Sequence, residues 1–158
     1  MPVERMRRIR DIVSQIPADV NVITGDQLDR RRSDARVFAA GFTGLTAPLG
    51  VYGILGNHDH SVEPQLSEWA LRKAGITPLV NEVVRFERGG VTLALAGVED
   101  IQPKNGRRPR FEILREHHDA FRICLCHQPK GWHRAAENGA HVTIAGHTHG
   151  GPIALTTR

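Results

Sequence analysis

Near its C-terminus the sequence carries a short apolar run that enters a glycine-rich turn with two histidines, Ile144-Ala145-Gly146-His147-Thr148-His149-Gly150-Gly151. Histidines separated by one residue cannot lie on the same face of a helix, but on a strand that ends in a loop both imidazoles can turn toward one point. The glycines allow the close backbone approach and the unusual dihedral angles that this arrangement needs. This stretch therefore predicts a strand end that presents His147 and His149 to a metal ion.

Three other segments have the same form, an apolar run followed by a residue that can bind a cation. They are Val22-Ile23-Thr24-Gly25-Asp26, Val51-Tyr52-Gly53-Ile54-Leu55-Gly56-Asn57-His58-Asp59 and Ile123-Cys124-Leu125-Cys126-His127. In an open α/β sheet, ligands gather outside the carboxyl ends of the strands, so four strand ends can bring an aspartate, an asparagine and three histidines to one place. The convergence of these loops is the central prediction for both the fold and the site.

The order of the remaining elements indicates an α/β fold. Apolar positions three or four residues apart predict helices, and short β-branched runs predict buried strands. Residues 82–87 and 91–96, joined by a tight Gly89-Gly90 turn, predict an antiparallel hairpin after a βαβ beginning. Residues 99–109 are rich in proline, glycine and charge and predict an exposed loop. The other predicted elements are helices at 3–16, from 33 or 34 toward 45, 64–75, 111–120 and 132–137, and strands at 20–24, 50–55, 122–126 and 141–145.

Length and composition favour one globular domain with a real core, because the chain has 158 residues, 40% hydrophobic and 24% charged. The net charge of +4 suggests nucleic-acid binding, but five Phe, two Trp and one Tyr form no stacking motif among the basic runs. Cys124 and Cys126 are two residues apart on one predicted strand, where their side chains share a face but the geometry is poor for a disulfide, so we predict that both are reduced core residues. Neither a membrane-spanning run nor a signal-peptide pattern is found, so a cytoplasmic location is expected.

These motifs resemble those of the calcineurin-like metallophosphoesterases. The matching residues follow the family's order and are Gly25-Asp26 with Asp29, Gly56-Asn57-His58-Asp59, the single His127, and Gly146-His147-Thr148-His149. The resemblance spans nearly the whole chain, and the trailing Gly150-Gly151 is most similar to the small bacterial phosphohydrolase branch. It implies an αββα sandwich of two mixed sheets flanked by helices, with residues 1–158 forming a single metallophosphoesterase domain.

The resemblance also implies a ligand set for two divalent cations. Asp26 would bridge both, the second metal would take Asn57, His127 and His147, and the first metal would take His149. Because the donors are nitrogen and oxygen without cysteine, manganese, iron or zinc suits the set better than a thiolate-preferring ion.

Two neighbouring residues are the candidates for catalysis. The resemblance implies that His58 is a general acid or a stabiliser of transition-state charge, which suits a side chain that titrates near neutral pH. Asp59 could orient an imidazole, or it could equally cap the loop. In the family, a hydroxide held between the metals attacks phosphorus in line, without a covalent enzyme intermediate.

One family motif is not found. Family members begin with a strand that leads into an Asp-x-His motif, whereas here no histidine precedes His58, and Asp11 and Asp19 lie in a predicted helix and at a strand start. We therefore expect an incomplete domain that lacks the first strand and the C-terminal strands. The second metal site would be complete, the first would miss two ligands, and sheet edges and apolar surface would be exposed.

The leading hypothesis is a metal-dependent hydrolase of phosphomonoesters or phosphodiesters, acting on a phosphorylated small molecule or a phosphodiester. One alternative is a non-catalytic scaffold, or an inactive fragment, with one intact metal site, and another is a basic nucleic-acid-binding domain. Arg107, Arg108 and Arg110 could face an anionic substrate or only solvate their loop.

Overall fold

Two β-sheets packed face to face form the centre of the computed structural model, which describes residues 2–102 and 106–149. The strands are β1 (Asn21–Ile23), β2 (Val51–Gly53), β3 (Thr77–Pro78), β4 (Glu82–Arg88), β5 (Val91–Gly97), β6 (Phe121–Leu125) and β7 (Val142–Ile144). The first sheet is parallel, in the order β1-β2-β3, and the second has the order β4-β5-β6-β7, with β4 antiparallel to β5 and the other pairs parallel.

Helices cover the outer face of each sheet. The helices are α1 (Val3–Ser14), α2 (Asp34–Phe42), α3 (Asn57–Val62), α4 (Pro64–Lys73) and α5 (Trp132–Glu137), with a short 3-10 turn at Pro129–Gly131. Helices α1, α2 and α4 pack on the first sheet, and a 3-10 helix at Phe111–His117 packs with α5 on the second.

Apolar side chains fill three layers between these elements. The middle layer, between the sheets, contains Ile54, Leu79, Leu95 and Leu125. The outer layers lie under the helices, one around Phe38, Leu71 and Ile76 and the other around Phe111, Leu114 and Cys124. Helix, sheet, sheet and helix therefore stack in the expected order, and the mixed α/β sandwich is confirmed. In the described residues only the second sheet is mixed, because helical crossovers join the strands of the first.

Some local predictions were wrong. Asn57, His58 and Asp59 form the first turn of α3 rather than a loop, since the Asp59 carboxylate accepts the Gly56 N–H, 2.8 Å away, at the helix start. The segment after β5 is not exposed where it begins, because Glu99 and Asp100 are 1% and 0% exposed and bind other buried polar side chains. The helix predicted at 111–120 is present, but it is a 3-10 helix and ends earlier, at His117.

A partly apolar cavity lies beside β1. This strand is at the edge of its sheet in the described residues, and the cavity, of about 230 Å³, is lined in part by Ile23 and by Met6 and Ile9 of α1. Ile12 and Ile16 are 54% and 59% exposed. The predictions for Gly150, Gly151 and the last seven residues lie outside the described residues.

No helix within residues 2–102 and 106–149 is both long enough and apolar enough to cross a bilayer.

Candidate metal centre

Four of the five predicted ligands meet at the carboxyl ends of four strands. Ligand atoms of Asp26, His127 and His147 all lie within 4.8 Å of one another. The Asn57 Oδ1 is 3.0 Å from His127 Nε2 and 3.0 Å from His147 Nδ1, and these two ring nitrogens are 3.2 Å apart. The Asp26 Oδ2 is 3.3 Å from His127 Nε2. Residues separated by more than a hundred positions thus form one cluster.

The backbone is strained where these side chains are presented. Asp26 and His147 have φ angles of 59° and 69°, in the left-handed region that non-glycine residues rarely adopt. His149 shares this conformation, with φ of 49°. Such strain persists where surrounding structure enforces it, and it is concentrated at functional sites.

Two glycines allow the loops to approach one another. A Cβ atom on Gly25 would lie 2.5 Å from His127 Nδ1, and one on Gly56 would collide with the Asp26 carboxylate and lie 2.7 Å from His127 Cε1. Any larger residue would push the ligand side chains apart. The close approach predicted for the glycines around His147 is found at Gly146, where a Cβ atom would lie 2.6 Å from Thr24 Oγ1.

The orientation of the His127 ring fits a cation. Its Nδ1 lies 2.7 Å from the Thr24 carbonyl oxygen, which can only accept, so Nδ1 donates and Nε2 of the neutral ring carries a lone pair. That lone pair faces the oxygens of Asp26 and Asn57 and a ring nitrogen of His147. Acceptor atoms crowded together in a partly buried place repel one another, and a divalent ion would satisfy them all. The donor set therefore fits a metal.

The titration of this cluster follows the same logic. Burial lowers the pKa of His127, but hydrogen bonds to Asp26 and to the Thr24 carbonyl more than reverse this, and the net direction is upward. Burial raises the pKa of Asp26, but His127 and the backbone N–H of His58 outweigh it, so this pKa lies below its usual value. When no metal is bound, the neighbouring Asp26 carboxylate thus favours the protonated form of the His127 ring.

The two cysteines do not belong to this centre. Both are free and buried, as predicted, in the outer layer of the second sheet. Burial raises the pKa of Cys124 to about 12 and that of Cys126 to about 11. The thiols therefore stay protonated at neutral pH, and a protonated thiol is a poor metal ligand.

His58 lies beside the cluster and is held at one ring nitrogen. Its Nδ1 is 3.0 Å from the Asp29 carbonyl oxygen and 3.3 Å from Asp29 Oδ1, and its backbone N–H donates to Asp26 Oδ1 at 3.0 Å. The carbonyl can only accept, so Nδ1 donates and Nε2 is left for other partners. Asp29 belongs to the Gly25-Asp26 motif, but no role was predicted for it. Its spacing from Asp26 is the sequence feature that could have indicated this contact with His58.

Asp59 fastens the backbone of two ligand loops. Its carboxylate is fully buried and accepts hydrogen bonds from the N–H groups of Asp26, Gln27, Leu28 and Gly56 and from the Ser67 hydroxyl. Burial raises its pKa, and the hydrogen bonds from Gly56, Leu28 and Ser67 oppose that rise. No imidazole contacts it among the described residues. Its geometry thus supports the loop-capping alternative and not a catalytic contact.

Two other groups of predicted residues are not members of the described cluster. His149 is exposed and is not a member of the three-residue cluster. Of the arginines in the 107–110 segment, Arg107 binds Glu68 at 2.7 Å and Arg110 binds Glu112 at 3.2 Å. These ion pairs support a structural role for the two arginines and not contact with a substrate.

Comparison with known proteins agrees with this geometry. The chain is 29% identical to an uncharacterized metallophosphoesterase of Aquifex aeolicus, covering 95% of this chain and 58% of that protein. It is 33% identical to a bovine (Bos taurus) transmembrane protein with a metallophosphoesterase domain, covering 90% of this chain and 35% of that protein. The chain thus spans little more than half of the first relative and about a third of the second.

A solved structure shares the fold. NAD nucleotidase of Haemophilus influenzae superposes with a TM-score of 0.61 at 16% identity, over 92% of this chain and 32% of that one. The family model described as calcineurin-like phosphoesterase matches residues 3–151. Sequence match, fold and strand-end cluster agree, and the chain belongs to the calcineurin-like phosphoesterase family.

Proposed function

We propose that this chain hydrolyses phosphoester bonds with a divalent cation held by Asp26, Asn57, His127 and His147. The observation that carries the proposal is the convergence of their oxygen and nitrogen atoms at strand ends from both sheets. Membership of the family supports a metal-dependent phosphoesterase in general. The donor types favour manganese, iron or zinc.

The proposed chemistry divides between the cation and His58. A bound divalent cation supplies Lewis acidity that polarises the phosphoryl group and the attacking water. When both of its ring nitrogens are protonated, His58, held through Nδ1 by Asp29, would donate the Nε2 proton to the departing oxygen and be left as the neutral imidazole. Asp26 accepts the His58 N–H and thereby ties the general acid to the ligand cluster. In-line attack needs a general acid that is held in a constant position beside the cation, and these two contacts of His58 would provide it.

The substrate is proposed as a phosphorylated small molecule or a phosphodiester. The single domain and the cytoplasmic location expected from the sequence stay predictions, as does a role for His149 at a further cation. One observation favours the scaffold alternative, namely that the described cluster does not include His149. A centre with one cation has one charge clamp rather than two, and its turnover would be slower.

The test combines metal binding with turnover. Mn²⁺ affinity and hydrolysis of chromogenic phosphomonoesters and phosphodiesters are measured for the wild type, Asp26→Asn and His58→Ala, with the exposed His118→Ala as the matched control. We expect Asp26→Asn to lose both properties, and His58→Ala to retain Mn²⁺ while turnover falls by about 10² to 10⁴. His118→Ala should behave as the wild type. Wild-type Mn²⁺ binding without turnover would instead support the scaffold.

A further inference from the structure

Behind the metal centre lies a row of four buried polar side chains, which we call the buried polar bridge: His60, Glu99, Asp100 and Gln128. None is more than 6% exposed. The His60 Nε2 is 2.6 Å from Glu99 Oε1, and the Gln128 amide donates to both oxygens of Asp100, at 2.9 and 3.1 Å. The Asp100 N–H donates to Glu99 Oε1 at 3.2 Å, so the two pairs join through consecutive residues.

The bridge connects the two halves of the ligand cluster. His60 belongs to α3, the helix that begins with Asn57, and Gln128 directly follows His127. One end of the bridge is therefore attached to the element that carries Asn57 Oδ1, and the other end to the residue after His127. These are the two ligand groups whose atoms lie 3.0 Å apart across the gap between the sheets.

This arrangement is a costly way to stabilise a fold. Two adjacent buried carboxylates lose their hydration, and well-packed apolar residues at such places are often as stabilising or more so. Two polar atoms of the bridge are also unpaired, because His60 Nδ1 and Glu99 Oε2 have no hydrogen-bond partner among the described residues. Arg107 supplies only a distant countercharge, 3.8 Å from Glu99 Oε2. A role in geometry explains these features better than a role in stability alone.

We propose that the buried polar bridge sets the distance and orientation between Asn57 and His127, so that its four members are positioning residues for the metal ligands. This inference rests on the metal centre of the proposed function. No hydrogen bond joins these four side chains to the cluster in the described residues. His60 acts through α3 and Gln128 through the backbone after His127, while Glu99 and Asp100 hold these two in place. Partners of this kind that orient metal ligands typically change metal affinity by about 10-fold to 100-fold when removed.

The experiment must separate positioning from simple destabilisation. In the whole chain, Mn²⁺ affinity is measured by electron paramagnetic resonance, and thermal stability is measured in chelator, for Glu99→Ala and for the conservative Glu99→Gln. The control is Leu114→Ala, a substitution of a buried apolar residue in the outer layer of the second sheet that is not a member of the bridge; it should weaken the fold. We expect Glu99→Ala to weaken Mn²⁺ binding about tenfold or more. Glu99→Gln should recover most of this loss, and Leu114→Ala should lower only the melting temperature.

A double-mutant cycle and a metal-free spectrum complete the test. If Glu99 acts through Asn57, the effect of Glu99→Ala on Mn²⁺ affinity shrinks in an Asn57→Ala background. The ¹⁵N imidazole spectrum of the metal-free chain should show the His127 Nδ1–H signal shifted in Glu99→Ala and unchanged in Leu114→Ala.

The outcomes separate the two proposals. Wild-type Mn²⁺ affinity in folded Glu99→Ala, or an equal loss in Leu114→Ala, overturns the bridge even where the wild type hydrolyses phosphoesters. A wild type that binds Mn²⁺ without turnover overturns the hydrolase, whereas a selective loss of affinity in Glu99→Ala would still support the bridge.

Discussion

Single residues decide how closely the ligand loops approach. Gly56 has an ordinary extended backbone, with φ of -111°, so its requirement for glycine is purely steric. The Asp26 carboxylate and the His127 ring occupy the space that a side chain at Gly56 would need. Asp59 complements this contact, since its carboxylate binds the N–H groups of Gly56 and Asp26, each at 2.8 Å. Packing and hydrogen bonding at this residue together determine the ligand spacing.

Gly56→Ala should therefore damage metal binding as well as stability. The added methyl group forces Asp26 and His127 apart, and overpacking of this kind costs about 1–3 kcal/mol of unfolding free energy. We expect a large loss of Mn²⁺ affinity, measured by titration beside urea unfolding. Gly75→Ala is the control, because its φ of +84° strains an added side chain in open space away from the centre. Equal Mn²⁺ affinities in the two variants would contradict the steric explanation.

At the scale of secondary-structure elements, one ion pair connects two strands of the second sheet that are not hydrogen-bonded to each other. Arg85 of β4 binds Asp119, which lies just before β6, through two contacts at 2.9 and 2.6 Å. Strands β4 and β6 both pair with β5, on opposite sides. This bidentate contact therefore reaches across the middle strand of the three. The Arg85 hydrogen bonds lower the pKa of Asp119 to about 2.

The stabilisation from this pair should depend on pH. Because the folded pKa of Asp119 is depressed, its contribution is present above the ordinary value of 3.8 and is lost as pH falls through about 2. The difference in urea midpoint between the wild type and Asp119→Asn should thus be visible at pH 6, begin to shrink below 3.8 and vanish as the pH falls through about 2. Glu116→Gln removes an exposed carboxylate on the neighbouring 3-10 helix and serves as the charge-matched control. A midpoint difference that persists at the lowest pH would argue against the ion pair.

At the scale of the whole molecule, the candidate metal centre lies between the ends of the two sheets. Asp26 and Asn57 follow β1 and β2 of the first sheet, while His127 and His147 follow β6 and β7 of the second. A cation bound to all four would hold the sheets together at one end of the apolar layer between them. Binding to the folded state alone shifts the unfolding equilibrium by mass action.

Mn²⁺ should therefore stabilise the chain globally. At a concentration one hundred times the dissociation constant, the expected gain in unfolding free energy is about 2.7 kcal/mol. Urea unfolding at increasing Mn²⁺ measures it, and chelator should reverse it. His147→Ala should unfold in chelator much like the wild type but gain little from Mn²⁺, because the His147 ring is exposed and contributes mainly as a ligand. Unfolding that ignores Mn²⁺ would contradict binding at the strand ends.

Local sequence determined the strands and the positions of the ligand loops. Apolar β-branched runs followed by Gly-Asp, Gly-Asn or Gly-His signal a strand end, and side-chain period and turn chemistry encode that signal within a few residues. Asp26, Asn57 and His147 were predicted on this basis, and His127 from the apolar strand that precedes it, in each case together with the family resemblance; the structure brings the four together. The Gly89-Gly90 hairpin was also predicted, because its turn residues are adjacent in sequence.

Only the tertiary structure decided which distant groups pair. The contacts of Asp59 with Asp26 and Leu28, of His58 with Asp29 and of His60 with Glu99 join residues about 30 to 40 positions apart. Such pairs depend on how the sheets pack and on which backbone groups lack a partner, and local periodicity carries no information on either. The family resemblance assigned His147 and His149 to different metals, and in the described structure His147 is a member of the cluster whereas His149 is not. Local patterns thus identified the candidate ligands, and long-range packing determined which of them share one centre.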